Sequence, residues 1–366
     1  MNFKTRLDHI STLKDQLFDL IIIGGGVTGA GIALDAVSRG LKVGLIEKGD
    51  FASGTSSKST KLIHGGLRYL KQMDFALVRE SGMERAIVHR LAPHLVIPEK
   101  MLLPLVEGGS YGRFLTSLGL KLYDILANVE GEDRRQMLDV EETLEKEPLL
   151  KADKLNGSGY YAEYRTDDAR LTIELIKKSV ELGAVCLNYI EFKNFIKEED
   201  QLYAVNCIDN LNGTTYKVSA KRIVSAAGPW VDKIREGEGA KTGKSLHLTK
   251  GVHIVVDRNN LPLKQTVYFD VPDGRMIFAI PRQGITYIGT TDTNYKGDLD
   301  NVRVDLKDVD YLLAAVNDTF KDIQLDVSDV LSSWAGLRPL IHEDGKSPSE
   351  LSRKDEIFVS PTGLIS

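Results

Sequence analysis

The stretch LIIIGGGVTGAG at residues 20–31 limits this chain more than any other. Four apolar residues run into three consecutive glycines, and a helical pattern rich in alanine opens directly behind them. Gly24, Gly26 and Gly29 stand in G-x-G-x-x-G spacing. The first glycine permits a tight turn, the second lets a pyrophosphate approach the backbone, and the third lets helix pack on strand. The helix N-terminus then faces the phosphates with its unpaired N–H groups. Such a motif is weak evidence alone, and its context decides. A strand at 20–23, a helix from about 27 to 39 and a second strand at 42–46 form a βαβ unit. Glu47 ends that second strand 23 positions (47 − 24) after Gly24. A carboxylate there accepts hydrogen bonds from an adenosine ribose and repels a 2′-phosphate. The plain alternative is a solvated charge at a strand end.

The segment after Glu47 separates FAD from NAD. A nicotinamide enzyme normally continues into the next βαβ unit. Here the chain gives KGDFASGTSSKSTKLIHGGLRYL, a long loop of small and hydroxyl-bearing residues. Such a loop suits a cofactor buried lengthwise. Within it, Gly65 and Gly66 sit bare between His64 and Arg68 in an apolar run, where they would weaken either a helix or a strand. They make a simple turn or bulge, or they let something flat or anionic lie against the backbone.

The remaining chain is α/β with a strand-rich insertion. Helical patterns recur at 75–91, 111–126, 172–182 and 304–320. Short strands are expected at 184–187, 191–196, 204–208, 215–218, 222–225, 248–256, 275–280 and 286–288. At 366 residues the chain exceeds one ordinary core, so two closely packed domains are the default. The expected division is 1–90 with 151–245 and 330–366 in one domain, and 91–150 with 246–329 in the other. A net charge of −5 argues against nucleic acid as a partner. The N-terminus MNFKTRLDHISTLKDQLF has no apolar h-region, and no run approaches the roughly 18–20 apolar residues that span a bilayer. The two cysteines, Cys186 and Cys207, form no CxxC and no metal-ligand spacing, so they read as core residues in a reducing compartment. The expectation is a cytoplasmic protein without a metal, at most peripheral to a membrane.

The order GGGVTGAG, LIEKGDFASGTSSKSTKLIHGGLRYL, VSAAGPWVD, KGVHIVV, IGTTDTNYKG and WAGLRPL resembles the FAD-dependent glycerol-3-phosphate dehydrogenases, from about Phe18 onward. The glycine motif is generic to flavoproteins of the glutathione-reductase and amino-acid-oxidase type. HGGLRYL, IGTTDT and GLRPL are much more specific. The resemblance implies an FAD-binding Rossmann-like domain with an interleaved, strand-rich substrate domain of mixed β-sheet. It implies oxidation of sn-glycerol 3-phosphate to dihydroxyacetone phosphate with reduction of FAD.

Under the resemblance, Gly65 and Gly66 let the backbone pass the isoalloxazine ring, with Leu62 and His64 nearby. Ser56, Ser57, Thr60 and Lys61 form the cofactor-contacting part of the loop, although Ser56 and Ser57 equally suit local turns. Phe192 stands where a strand backbone meets adenine, and Ala227 and Gly228 where small residues approach the cofactor. Arg68 and Tyr69 line the substrate cavity. Arg68 and Arg338 are the pair for the phosphate, since planar guanidinium groups match phosphate oxygens. Arg275 and Arg282 are lesser candidates. Thr290, with Thr291 and Asp292, borders the pocket. His253 is the candidate base for the hydroxyl proton, with a satisfied core histidine nearly as good a reading and His64 a competitor.

The family continues past TGLIS into a Gly-Gly-Lys-Leu-Thr segment and a helical C-terminal domain, and this sequence stops at Ser366. Family oxidases, which pass electrons to oxygen, carry an insertion soon after GLRPL. Here the run GLRPLIHEDGKSPSELSRKDEIFVSPTG is continuous, which favours the dehydrogenase branch and a quinone acceptor. The amphipathic stretch 111–126 would then lie on a membrane surface or pack on the core. An oxygen-using oxidase, another amino-acid-oxidase-type flavoprotein and an inactive fragment stand as alternatives. A homodimer is left open.

Overall fold

The structure is a computed structural model that describes residues 5–64, 74–109, 116–117, 119–122, 131, 134–198, 201–239, 245–341 and 356–366. The chain divides into two compact units and passes between them four times. The first unit takes 1–59, 167–248 and 337–366, and the second takes 60–166 and 249–336.

The first pass lays down α1 (Arg6–Asp15), β1 (Phe18–Ile23), α2 (Val27–Ser38) and β2 (Val43–Ile46). The second adds β3 (Leu62–Ile63), α3 (Phe75–Leu91), β4 (Ile97–Val106), β5 (Gln136–Leu138), α4 (Val140–Lys146) and β6 (Leu155–Arg165). The third returns with α5 (Asp168–Glu181), β7 (Val185–Leu187), β8 (Ile190–Glu198), β9 (Gln201–Asp209), β10 (Thr215–Ser225) and α6 (Val231–Glu238). Then come β11 (Leu246–Asp257), β12 (Thr266–Asp270), β13 (Met276–Arg282), β14 (Ile285–Gly289), β15 (Thr293–Asn294), α7 (Leu306–Thr319), β16 (Val330–Ile341) and β17 (Leu364–Ile365).

In the first unit the strand order is β7-β2-β1-β10-β9-β8, with β17 also on β10. β10 does two jobs. Its second half runs parallel to β1, with Ile21 beside Ile223 and Ile23 beside Ser225. Its first half is antiparallel to β9, with Val218 beside Val205. Side chains alternate across β1. Ile22 joins Ala30, Ala33 and Val37 of α2 and Ile176 of α5 on one face. Ile21 and Ile23 join Ile10 and Leu13 of α1 on the other. Successive strand residues point to opposite faces, so the apolar run III serves two layers at once.

In the second unit the order is β15-β11-β14-β13-β12-β4-β6-β3, with β16 on β11 and β5 on β6. β12 runs parallel to β4. β11 is antiparallel to β14 and β15, β13 to β12 and β14, and β6 to β3, β4 and β5. Val252, Ile254 and Val256 of β11 pack with Leu312, Leu313 and Val316 of α7. Val255, from the opposite face of β11, packs with Leu62, Val78, Tyr161 and Tyr287. Arg85 of α3 reaches Glu163 of β6 at 2.8 Å, both side chains almost fully buried. Removing one partner of such a pair costs roughly 3–5 kcal/mol, because the other charge is stranded.

Several sequence expectations change here. The described residues of 60–90 (60–64 and 74–90) and 151–166, expected with the dinucleotide domain, belong to the second unit. The reason is pairing: β3 and β4 both lie against β6, with Leu62 beside Arg165 and Met101 beside Tyr161. The segments 215–218 and 222–225 are one strand. α5 begins four residues before the expected 172, where Asp167 accepts a hydrogen bond from Arg170 N at 3.1 Å and caps it. The expected helix at 111–126 falls largely outside the described residues.

Candidate functional site

The glycine turn of the first unit is built by close packing. Gly24 has φ +117°, a left-handed conformation that favours glycine, and a Cβ there would meet Ala226 O at 2.4 Å. Gly29 packs harder still, since its Cβ would fall 1.9 Å from Gly24 O. Gly26 is the N-cap of α2 with extended backbone and no side-chain cap of its own. Ser56 supplies the missing acceptor: Val27 N donates to its Oγ at 2.9 Å. Ser57 Oγ donates to Gly54 O at 3.4 Å.

Glu47 is half-buried at the end of β2 and closes the turn from the side. Gly25 N donates to its Oε2 at 2.7 Å, and Gly49 N donates to its Oε1 at 2.8 Å. Ala52 N donates back to Gly25 O at 3.0 Å, so the two loops are stitched together. Behind β10, Ala226 N donates to Ile23 O at 2.9 Å. Ala227 is half-buried and Gly228, at φ +53°, is exposed. Phe192 is half-buried on β8, its ring 4.6 Å from that of Phe195. Thr55, not singled out in the sequence, donates its hydroxyl to Leu337 O at 2.9 Å. Arg338 comes next on β16, half-buried, and belongs to the same unit.

The second unit holds both candidate histidines, His64 and His253. His253 is 1% exposed. It shares a face of β11 with Val255, its Nε2 lies 3.0 Å from Thr60 Oγ1, and its ring stacks on Trp334 at 4.7 Å between centroids. A Cβ at Gly289 on β14 would meet this imidazole at 2.1 Å, so a glycine makes room for the ring. Tyr287 donates its hydroxyl to Thr60 O at 3.1 Å, and burial pushes that phenol upward from its ordinary value. Lys61 has φ +60°, and its Nζ lies 5.9 Å from the Trp334 ring centre. Leu62 turns into the core, so only its backbone is left to meet a ligand. His64 is exposed just past β3, 5.3 Å from the Phe278 ring.

Thr290 is half-buried and donates to Thr291 O at 3.0 Å. Thr291 is buried, accepts from Val252 N and donates to Lys250 O. Arg275 is taken up by Asp273 at 2.5 Å and by the Tyr311 ring, and Arg282 donates to Thr166 O at 3.4 Å. Neither stands as an uncommitted phosphate ligand. Gly65, Arg68 and Tyr69 lie outside the described residues. The sequence reading did not point to an ion cluster in which buried Lys250 meets exposed Asp305 at 2.9 Å and buried Asp308 at 2.6 Å through its Nζ. Its signal was the D-x-x-D capping box that opens α7.

Cys186 and Cys207 are free and buried, and burial pushes both thiols up to about 12, which keeps them protonated and inert. Among the described residues, no helix is long and apolar enough to cross a membrane.

A family model described as FAD dependent oxidoreductase (DAO) matches residues 19–359. The chain belongs to that family. The chain is 56% identical over 356 residues to the aerobic glycerol-3-phosphate dehydrogenase of Bacillus subtilis (strain 168), covering 97% of this chain and 64% of that protein. The X-ray structure of the glycerol-3-phosphate dehydrogenase from Bacillus halodurans complexed with FAD is similar with a TM-score of 0.82 and 48% identity, over 98% of this chain and 62% of that one. A glycine oxidase from Geobacillus kaustophilus shares the fold, with a TM-score of 0.73 at 23% identity over 95% of this chain and 88% of its own. The chain thus spans just under two thirds of the length of the two glycerol-3-phosphate dehydrogenases.

Proposed function

We propose that this chain binds FAD and oxidises sn-glycerol 3-phosphate to dihydroxyacetone phosphate. The observation that carries the reading is the glycine turn closed by Glu47. An ionised carboxylate offers about four acceptor positions, and backbone N–H groups use two of them here. The remaining positions suit the two hydroxyls of an adenosine ribose. Gly24, Gly26 and Gly29 leave the backbone bare where a diphosphate would meet the start of α2, and Ser56 stands beside it, able to turn its hydroxyl from acceptor to donor. The Ser57, Thr60, Lys61, His64 and Gly65 stretch, the backbone of Leu62, and Phe192, Ala227 and Gly228 complete the cofactor assignment. We assign the adenosine and diphosphate end of the cofactor to the first unit and substrate binding chiefly to the second.

Bound FAD supplies the acceptor for the hydride that leaves the carbinol carbon of the substrate. The residues of the chain have two tasks, to hold the phosphate and to take the hydroxyl proton. Arg68 and Arg338 are assigned to the phosphate, with Tyr69 and Thr290 beside the glycerol hydroxyls. For the proton there are two imidazoles. His253 is buried and engaged by Thr60, whereas His64 is exposed, so we assign the proton to His64 and a packing role to His253. The uninterrupted run after GLRPL supports a quinone as the next electron acceptor, and with it a working position at the cytoplasmic surface of a membrane.

The test is direct. Heat denaturation of the purified protein releases FAD, and sn-glycerol 3-phosphate bleaches the bound flavin without oxygen. Release of NAD or of nothing overturns the cofactor assignment; bleaching by glycine instead overturns the substrate. Arg338→Ala keeps the flavin spectrum and loses one charge-assisted contact of roughly 1.5–3 kcal/mol, about 10- to 100-fold in substrate affinity. Stoichiometric peroxide, with no quinone reduced in the presence of lipid, refutes the acceptor.

A further inference from the structure

Arg6 stands at the first position of α1, where the helix dipole disfavours a cation. Its contacts account for it. Nη1 donates to Asn188 O at 2.9 Å and to Asn188 Oδ1 at 3.1 Å, and Nη2 donates to both oxygens of Asp209 at 3.2 and 3.1 Å. The Asp209 side chain is 1% exposed, so Arg6 neutralises a buried carboxylate. With its oxygen turned to a residue that only donates, the Asn188 amide must turn its nitrogen outward. That Nδ2 donates to Asp50 Oδ1 at 2.8 Å.

Asp50 belongs to the turn just past Glu47, and its Oδ1 also accepts Phe51 N at 2.9 Å. The strip around Asn188 holds the same turn by its backbone. Tyr189 N donates to Gly49 O at 2.9 Å, Ile190 N to Glu47 O at 2.8 Å, and Asn210 Nδ2 to Lys48 O at 3.1 Å. Gly49 in turn donates to Glu47 Oε1. Hydrogen bonds joined by single backbone steps at Asn188–Tyr189 and within Gly49 therefore lead from α1 to the carboxylate of Glu47.

We propose that Arg6 is a positioning residue for the cofactor: it locks Asn188, and through it the 47–51 turn, in the arrangement that aims Glu47 at the ribose. The proposal rests on the reading that Glu47 binds FAD. α1 also covers apolar surface through Ile10 and Leu13, a packing role that does not require Arg6. Without Arg6 the Asn188 amide is free to turn, and the turn samples other arrangements. If the competent arrangement falls to about one tenth of the folded population, the apparent Kd for FAD rises about tenfold.

The experiment compares Arg6→Ala, Arg6→Lys and Asn188→Ala in the whole chain, with Leu13→Ala as a packing control. Hydrogen exchange over residues 47–53 is followed without cofactor, and the FAD Kd is measured by quenching of flavin fluorescence. Arg6→Ala and Asn188→Ala should each speed exchange and raise Kd about tenfold, with no further rise in the double variant, and Arg6→Lys should recover part of both. Leu13→Ala should lower the unfolding midpoint and leave Kd alone. Should Arg6→Ala fail to fold, Asn188→Ala carries the comparison. Unchanged exchange and Kd in the folded variants overturn the proposal, and so does a Leu13→Ala protein whose Kd rises as much. A wild-type protein that takes up no FAD refutes the reading of Glu47 instead, and exchange alone then decides whether Arg6 braces the turn.

Discussion

Two glycines of α2, two residues apart, should respond in opposite ways to the same change. At Gly29 an added Cβ lies 1.9 Å from Gly24 O and 3.0 Å from Gly24 C, and both are backbone atoms that no rotamer change can move. Relief to the shortest tolerable separation of about 3.0 Å requires the start of α2 to retreat by roughly 1 Å from the turn. Along the same helix Ala33 and Val37 pack with Ile22 of β1 and Ile176 of α5, so the retreat loosens a packed layer. Overpacking of this kind costs typically about 1–3 kcal/mol, and backbone against backbone belongs at the upper end. At Gly31 nothing lies within 4 Å of the added carbon. Alanine there gains its helix preference, about 0.8–1 kcal/mol over glycine. Urea unfolding of the cofactor-free protein should therefore separate Gly29→Ala from Gly31→Ala by roughly 3–4 kcal/mol. The retreat also moves the first N–H groups of α2, so FAD titration should find at least tenfold weaker binding in Gly29→Ala only. If the two variants unfold within about 0.5 kcal/mol of each other and bind FAD alike, the third glycine of the motif is not a packing requirement.

The second unit offers two more tests. His64→Asn should lower turnover by roughly 100-fold or more while leaving the flavin spectrum intact, as loss of a general base does; His253→Asn should act mainly on stability, through Thr60 and Trp334, and a reversal of these effects returns the proton to His253. Glu147 is fully buried, and burial raises its carboxyl above the ordinary 4.5 even though the backbone N–H groups of Lys264, Leu149 and Gln265 pull it down. The folded state then holds a proton that the unfolded state has lost, so this group's contribution is fully present below pH 4.5 and fades as pH rises through the raised value. Urea midpoints tracked upward from about pH 4 should show that loss in the wild type and less of it in Glu147→Gln, and equal slopes would refute the assignment.

The parts of the molecule that were legible in the sequence are those written in neighbouring residues. LIIIGGG with a helix and Glu47 behind it needs only local chemistry, and β1, α2 and β2 fall where that spacing puts them. β4 and β6 were hidden by their own composition. Pro98 and Pro104 interrupt one, Gly157 and Gly159 the other, and such residues normally argue against a central strand. They survive there because a register shift falls between Pro104 and Val106, and because Gly159 makes room for Leu120. Missing β6 moved the expected domain boundary, since β6 is what draws β3 and β4 into the second unit. α1 reads as a polar stretch with only Ile10 and Leu13 buried among its apolar side chains, and its capping box at Thr5 and Asp8 emerges only in the structure. In the candidate site, the glycines and Glu47 could be read from spacing. That His253 is enclosed and His64 exposed could not, because alternation along β11 says which face a residue takes and not what covers it. The Arg6 contact with Asp209 joins residues some two hundred positions apart, and no local pattern records it.

The four crossings between units also set an order of assembly during synthesis. β1 emerges early, but its parallel neighbour on one side, the second half of β10, is translated about 200 residues later. At roughly 5–20 residues per second that interval is about 10–40 s, during which Ile21 and Ile23 face water or a chaperone. Within this sequence the residues of the second unit end at 336. The first still waits for Leu364 and Ile365, which pair with Ile223 and Val224, and for Ser360 and Thr362, which meet the buried carboxylate of Glu238. Of the two units, the one that leaves the ribosome first is the one still gaining strand partners after the other's last residue.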